Sequence, residues 1–356
     1  MRFMRIILMV VLLIAFPLQL WAAFDVVGWG PRALGMGGAF STIADDASAI
    51  WWNPGASALA QGPEFVASMA KPYLGLKLYR GEGETSLSEN YIAALYPVKG
   101  WGSLGLSVAM FSTRDAYTET EIALNWGFVP EEIGGRFWKE EEFGVFGSGF
   151  AGGGLTLGEE RKWLPPPEYM VGINLKYLSH NYILDEYALE DPVFSGGKTG
   201  RGNFSLDSGI LIQFGDIFNV AIVGHNLVAP DLGLKSYDPV NPDWTLGVGT
   251  IRQKFSAGLD VVWRYSKYSA QQEMDVRTGA EWWPVASKIG LRCGVNFDSV
   301  TSGFSVRLKP FGNLALGIDY AFLWPFGIID SYGTHRIAIS LSSPKRKATD
   351  EQKKTW

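Results

Sequence analysis

One cysteine and three histidines are all that 356 residues provide of the side chains most used for soft-metal binding and proton transfer at neutral pH. Cys293 has no second cysteine to bridge with, and no cysteine cluster exists to hold a structural metal. No HExxH pair, Walker-type loop or nucleophile elbow occurs. Ala151-Gly152-Gly153-Gly154 is not followed by Lys-Ser/Thr, so phosphate cradling is unsupported. His180 is the only candidate for chemistry at a loop, and a lone histidine carries no reaction. The expectation is a protein with no catalytic residues, no metal and no cofactor. An excess of basic residues is missing too. The formal charge of -5 argues against a nucleic-acid surface. Beyond residue 23 no run of 18 apolar residues occurs, so no membrane-spanning helix is expected there.

Glycine and aromatic residues are abundant. Forty-three glycines and a 14% aromatic content point to many strands joined by tight turns. Residues 1–22 read as a secretory leader. Arg2 and Arg5 form its basic start, Ile6 to Phe16 its apolar stretch, and Ala22 or Ala23 its cleavage site. No cysteine follows that site, which argues against a lipoprotein anchor.

The rest of the chain alternates with period two. Phe255, Ala257, Leu259, Val261 and Trp263 share one apolar face, opposite the mostly polar or small Ser256, Gly258, Asp260, Val262 and Arg264. Tyr169 to Tyr177, Leu314 to Phe322 and Ile337 to Leu341 repeat the pattern. Lys176, Asp207, Asp260, Arg292, Arg307, Asp319 and Arg336 fall on the polar faces, and aromatics close the apolar faces. Such strands suit an outer-membrane barrel whose apolar side meets lipid and whose polar side meets a lumen. A water-soluble sandwich is the rival architecture.

From residue 168 onward, short turns at Gly215–Ile217, Arg252–Lys254, Pro284–Ser287 and Pro310–Gly312 alternate with longer loops at His180–Asn203, Val228–Asp243, Tyr265–Met274 and Leu323–Thr334, apart from a modest loop around Asp298–Val300. Membrane barrels place short turns in the periplasm and long loops outside. Lys99–Gly102 fits a periplasmic turn, which allows only one of segments 117–126 and 143–155 to span. The reading favours 143–155, leaving 113–142 as an acidic external excursion. With a strand near 64–70 the total is about 14, an even number.

Residues 30–59, GPRALGMGGAFSTIADDASAIWWNPGASAL, fit neither helix nor strand periodicity. This run resembles the N-terminal segment of the FadL-like outer-membrane superfamily, most closely its PorV/PorQ branch. Arg32 to Ala39, Ala44-Asp45-Asp46-Ala47 and Asn53-Pro54-Gly55 carry the likeness. Gly55 departs from the family's usual alanine. The resemblance implies a transmembrane antiparallel β-barrel with an N-terminal hatch inside its lumen. The implied organisation is leader 1–22, hatch 23–60, barrel 61–342 and a charged periplasmic tail 343–356. Arg32, Gly35, Gly37, Gly38, Asp45, Asp46, Asn53 and Pro54 become the hatch residues. Small residues suit a plug threaded between lumen side chains, and Asp45 and Asp46 suit backbone N–H groups or lumen arginines of the barrel wall. Trp51-Trp52 is bulky for a plug and suggests a seat at a rim.

The apolar stretch Leu323–Ile329 is unusual for a water-exposed loop. Trp324, Phe326 and Ile328 are its candidate contacts for a hydrophobic ligand or a partner. The resemblance implies passive transport of hydrophobic small molecules across the outer membrane of a Gram-negative-type bacterium, gated by the hatch. Its PorV branch implies an alternative, in which the barrel binds exported proteins or the machinery of type IX secretion. Outer-membrane lipid is the surrounding partner in both, and neither involves nucleic acid.

Overall fold

The computed structural model describes residues 28–76, 87–113, 116–130, 167–194, 196–252, 254–266, 271–285, 288–311, 314–328 and 331–343. The expected leader, almost all of the expected tail and segment 143–155 lie outside these. Among the described residues fourteen antiparallel strands close into a barrel. They are β1 (Glu64–Lys71), β2 (Leu87–Val98), β3 (Gly102–Thr113), β4 (Tyr117–Phe128), β5 (Glu168–Tyr182), β6 (Gly200–Phe214) and β7 (Phe218–His225). Then follow β8 (Asp243–Ile251), β9 (Phe255–Ser266), β10 (Gln271–Val285), β11 (Ile289–Val295), β12 (Ser299–Phe311), β13 (Leu314–Pro325) and β14 (Thr334–Ser342). Each strand pairs with its neighbours in sequence, and β1 closes on β14 from Glu64↔Ser342 to Lys71↔His335. None of these fourteen strands keeps a free edge to aggregate, so the barrel has no need of disulfides.

The period-two pattern sorts side chains as a membrane wall requires. Ile92, Leu104, Leu124, Leu175, Leu246 and Leu259 face outward, while Asn174, Lys176, Asp207, Asp260 and Arg292 are buried in the lumen. Outward aromatics ring both edges. Tyr96, Trp101, Phe255 and Trp282 lie near the short turns, and Phe204, Trp244, Trp263 and Trp324 lie near the opposite end. A closed wall with an apolar outside and a charged inside is an outer-membrane barrel; a water-soluble sandwich would show the reverse.

Three expectations about the strands need correction. Segment 117–126 spans, as β4, pairing fully with β3 and β5. Its acids face the lumen, where Lys176 Nζ lies 3.5 Å from Glu121, so they do not mark a water-exposed excursion. Both ends of the long connection 129–167 therefore sit with the short turns. The expected loop Tyr265–Met274 is mostly strand, because β9 and β10 stay paired out to Ser266↔Gln271. Leu323 to Pro325 likewise extend β13, paired with β12 through Ser299↔Pro325.

Residues 28–60 lie inside the barrel. They form one helical turn, α1 (Pro31–Leu34), a second, α2 (Ala49–Trp52), and a 3-10 turn over Pro54–Leu59. Leu34, Met36, Phe40, Ile43, Ile50 and Asn53 are fully enclosed. Trp51 and Trp52 are inside as well, not at a rim. Trp52 Nε1 donates to Trp29 O at 2.8 Å, and its ring meets Phe40 edge-on at 6.1 Å.

Candidate functional site

The inner segment runs against the wall at closest approach, and wall glycines permit this. Two rows of paired glycines cross the lumen face. One is Gly127, Gly172 and Gly209 on β4 to β6; the other is Gly249, Gly258, Gly279 and Gly294 on β8 to β11. A Cβ on Gly172 would strike Pro54 O, one on Gly279 would strike Met36 O, and one on Gly249 would strike Thr42 Oγ1. The inner backbone lies where wall side chains would otherwise stand. An alanine at Gly55 would press on Gly209 O and Met170 O, at 2.6 and 2.9 Å from its Cβ. That crowding accounts for glycine there. These wall glycines were the residues missed by sequence reasoning. Their signal was present as small residues in phase on the polar face.

Hydrogen bonds fix the segment along its length. Asp260 on β9 accepts from Phe40 N and Ser41 N, both at 2.9 Å, and from Ser41 Oγ at 2.7 Å. Gly37, with φ +67°, donates its N–H to Thr301 Oγ1 at 2.9 Å, and its carbonyl accepts from Asn296 Nδ2 at 3.1 Å. Gly35 O accepts from Thr301 Oγ1 at 3.1 Å, and Gly38 also has positive φ. Only glycine takes that backbone without strain. Asn53 works in three directions. It accepts from Gly55 N at 3.0 Å to start the 3-10 turn, and its amide donates to Ser41 O at 2.9 Å and Ile210 O at 3.4 Å. Pro54 O accepts from Ser57 Oγ at 2.7 Å and Asn125 Nδ2 at 3.4 Å.

A chain of alternating charges holds the side nearer the short turns. Arg32 grips Glu281 on β10 with Nε and Nη2, each at 2.9 Å. Its Nη1 meets Asp45 and, at 3.1 Å, Asp46. The partner of the two aspartates is thus an arginine of their own segment, and the wall contributes the opposing carboxylate. Glu281 also accepts from Arg292 Nε at 2.7 Å, and Arg307 pairs with Asp319 at 2.9 Å. Burial opposes the charge on Arg32, but the Asp45, Glu281 and Asp46 carboxylates outweigh it and hold its pKa above the usual arginine value. Arg32 is a permanent cation. Below this network a cavity of about 1360 Å³ opens among Arg32, Asp45, Trp283, Lys288 and Ser342.

A second polar cluster lies on the other side of the segment. Trp51 stacks on His225 with centroids 5.1 Å apart. His225 Nδ1 is 3.4 Å from Asp207, which Lys176 Nζ reaches at 3.0 Å. Asn174 Nδ2 donates to Ile50 O at 2.7 Å. His180 is a buried strand residue of β5, edge-on to Tyr117 at 5.8 Å, and is not part of an exposed loop. Among the described residues no group of histidine, cysteine and carboxylates could hold a metal ion.

The structure therefore gathers all eight expected hatch residues in the lumen. Trp324, Phe326 and Ile328 are not brought to them. Trp324 points outward from the far end of β13, close to Phe322 at 6.1 Å, and Phe326 is 56% exposed just beyond.

No family model matches the sequence, and no curated protein matches it. Solved structures do resemble the fold. The toluene transporter TodX of Pseudomonas putida superposes with a TM-score of 0.53 at 10% identity, covering 90% of this chain and 98% of that one. The Ralstonia pickettii toluene transporter TbuX gives 0.50 at 11% identity, covering 91% and 100%. A Pseudomonas aeruginosa FadL homologue gives 0.51 at 12% identity, covering 89% and 98%. The barrel thus has the FadL-type fold.

Proposed function

Starting from a FadL-type barrel filled by its own N-terminal segment, we propose that this chain is a passive outer-membrane transporter of hydrophobic small molecules. Residues 28–60 act as its hatch. The observation carrying this reading is the segment's attachment, which uses hydrogen bonds, ion pairs and close packing on glycine, all reversible, above a cavity of about 1360 Å³. Solved neighbours named as toluene transporters support the substrate class. Trp324, Phe326 and Ile328 would form an apolar lip at the external edge, where a hydrophobic solute first leaves water. The Arg32–Asp45–Asp46–Glu281 cluster would be the latch, since it joins hatch to hatch and hatch to wall through one guanidinium. The hatch segment begins after leader 1–22, and the barrel is followed by tail 343–356.

The test is toluene uptake by cells whose outer membrane carries either the full chain or a form lacking residues 28–60. Altered uptake is expected; unchanged uptake by a folded deletion form contradicts the gating role. The PorV-like reading, binding of exported proteins in type IX secretion, predicts instead a stoichiometric protein companion. Native mass spectrometry of gently extracted protein separates that companion from a small hydrophobic ligand.

A further inference from the structure

The external connection 183–199 presents large apolar side chains to water in a folded form. Tyr187 is 86% exposed and Leu189 63%, with Ile183 and Val193 exposed beside them. Two 3-10 turns, Ala188–Glu190 and Pro192–Phe194, shape the loop. Asp185 Oδ1 caps Ala188 N and Asp191 Oδ1 caps Val193 N, each at 2.8 Å. Phe194 rests on Tyr182 at 5.5 Å, Ile183 N donates to Ala116 O at 2.9 Å, and Lys235 of the neighbouring loop donates to Pro192 O. With its inner side fixed, the loop keeps Tyr187 and Leu189 outward. Asp185, Glu186, Glu190 and Asp191 surround them, also exposed, against Lys198 and the neighbouring loop's Lys235.

We infer that residues 183–194 form a docking surface for a protein segment that presents lysine or arginine beside aromatic or aliphatic side chains. A pre-shaped tyrosine beside a leucine is an interface anchor, because burying it costs little further conformational entropy. The acidic rim supplies charge complementarity to a basic partner and fast, salt-sensitive association. The same acids are repelled by an anionic lipid surface, which selects protein over membrane. This surface stands apart from the hatch and does not rest on the transport reading.

The test uses the full chain in lipid nanodiscs and a displayed library of random short peptides. Enriched peptides are expected to combine Lys or Arg with aromatic or aliphatic residues. Their affinity should fall about tenfold or more for Tyr187→Ser/Leu189→Ser. Glu186→Gln/Glu190→Gln should flatten the salt dependence of binding. Failure of enrichment, absence of basic residues among the binders, or equal binding to the double serine variant would overturn the inference. A second measurement places a Tyr187→Trp probe in bilayers of brominated lipid. Unquenched emission is expected, and quenching would put the loop on the lipid and overturn the docking role. All three variants change exposed side chains, and the heat-dependent gel shift of a folded barrel checks that they fold.

Discussion

Replacing Arg32 by methionine removes the one guanidinium that Asp45, Asp46 and Glu281 share. Glu281 keeps Arg292 but loses a bidentate partner in a buried site, a loss of about 3 kcal/mol. The urea midpoint of Arg32→Met in detergent should fall accordingly, whereas Arg32→Lys keeps the charge and loses only the fork geometry. Gly172→Val tests the glycine rows. Its side chain enters the space of Pro54, so the hatch must lift while the barrel stays closed. Arg32 is the only trypsin site within residues 28–60. The expected outcome is trypsin cleavage after Arg32 in a folded Gly172→Val barrel, but not in Gly196→Val, where nothing lies within 4 Å of an added Cβ. At this scale the sequence set residues 30–59 apart from the strands and was silent about where they sit. Arg32, Asn53 and the glycines of the motif were legible because they are close in sequence. Glu281 and Asp260 were not, because only the barrel's curvature brings them to residues more than 200 positions away.

Strands were legible wherever lumen and lipid faces differ plainly in polarity, as in Phe255–Trp263. β4 was misread because two of its lumen residues, Glu119 and Glu121, are acidic, and period two alone does not say which polar face meets a partner. A labelling experiment checks it directly. In a Cys293→Ala background, Leu124→Cys should react with a membrane-soluble maleimide and Asn125→Cys should not, since the first faces outward and the second is buried. The loop 226–242 gives a pH prediction. Asp231 accepts from Asp238 N at 2.9 Å and Gly233 N at 3.0 Å and pairs with Arg201, which together hold its pKa below the ordinary carboxylate value. A carboxylate depressed in the folded state stabilises it above the unfolded pKa, and that stabilisation is lost as pH falls through the folded value. Amide exchange at Gly233 and Asp238, corrected for intrinsic rate, should quicken below about pH 4. Asp231→Asn should remove that dependence.

For the whole molecule, a closed wall and a filled lumen impose one requirement: whatever passes through must move residues 28–60 or slip between them and the glycine rows. The even strand number was readable from sequence, since it follows from membrane closure, and so was the alternation of turns and loops after residue 168; before it, the long connection 129–167 joins β4 to β5 on the side of the short turns. The depth of the hatch and the cavity beside it were not, since both depend on contacts between distant segments. Thr42→Cys with Gly249→Cys, in a Cys293→Ala background, tests the requirement most directly. A Cβ at Gly249 lies 3.1 Å from Thr42 Cβ, so a shift of a few tenths of an ångström admits a disulfide. The decisive measurement is toluene uptake by cells carrying this variant, oxidised and then reduced. The account predicts uptake blocked by oxidation and restored by reductant; equal uptake in both states, with the disulfide formed, would contradict it.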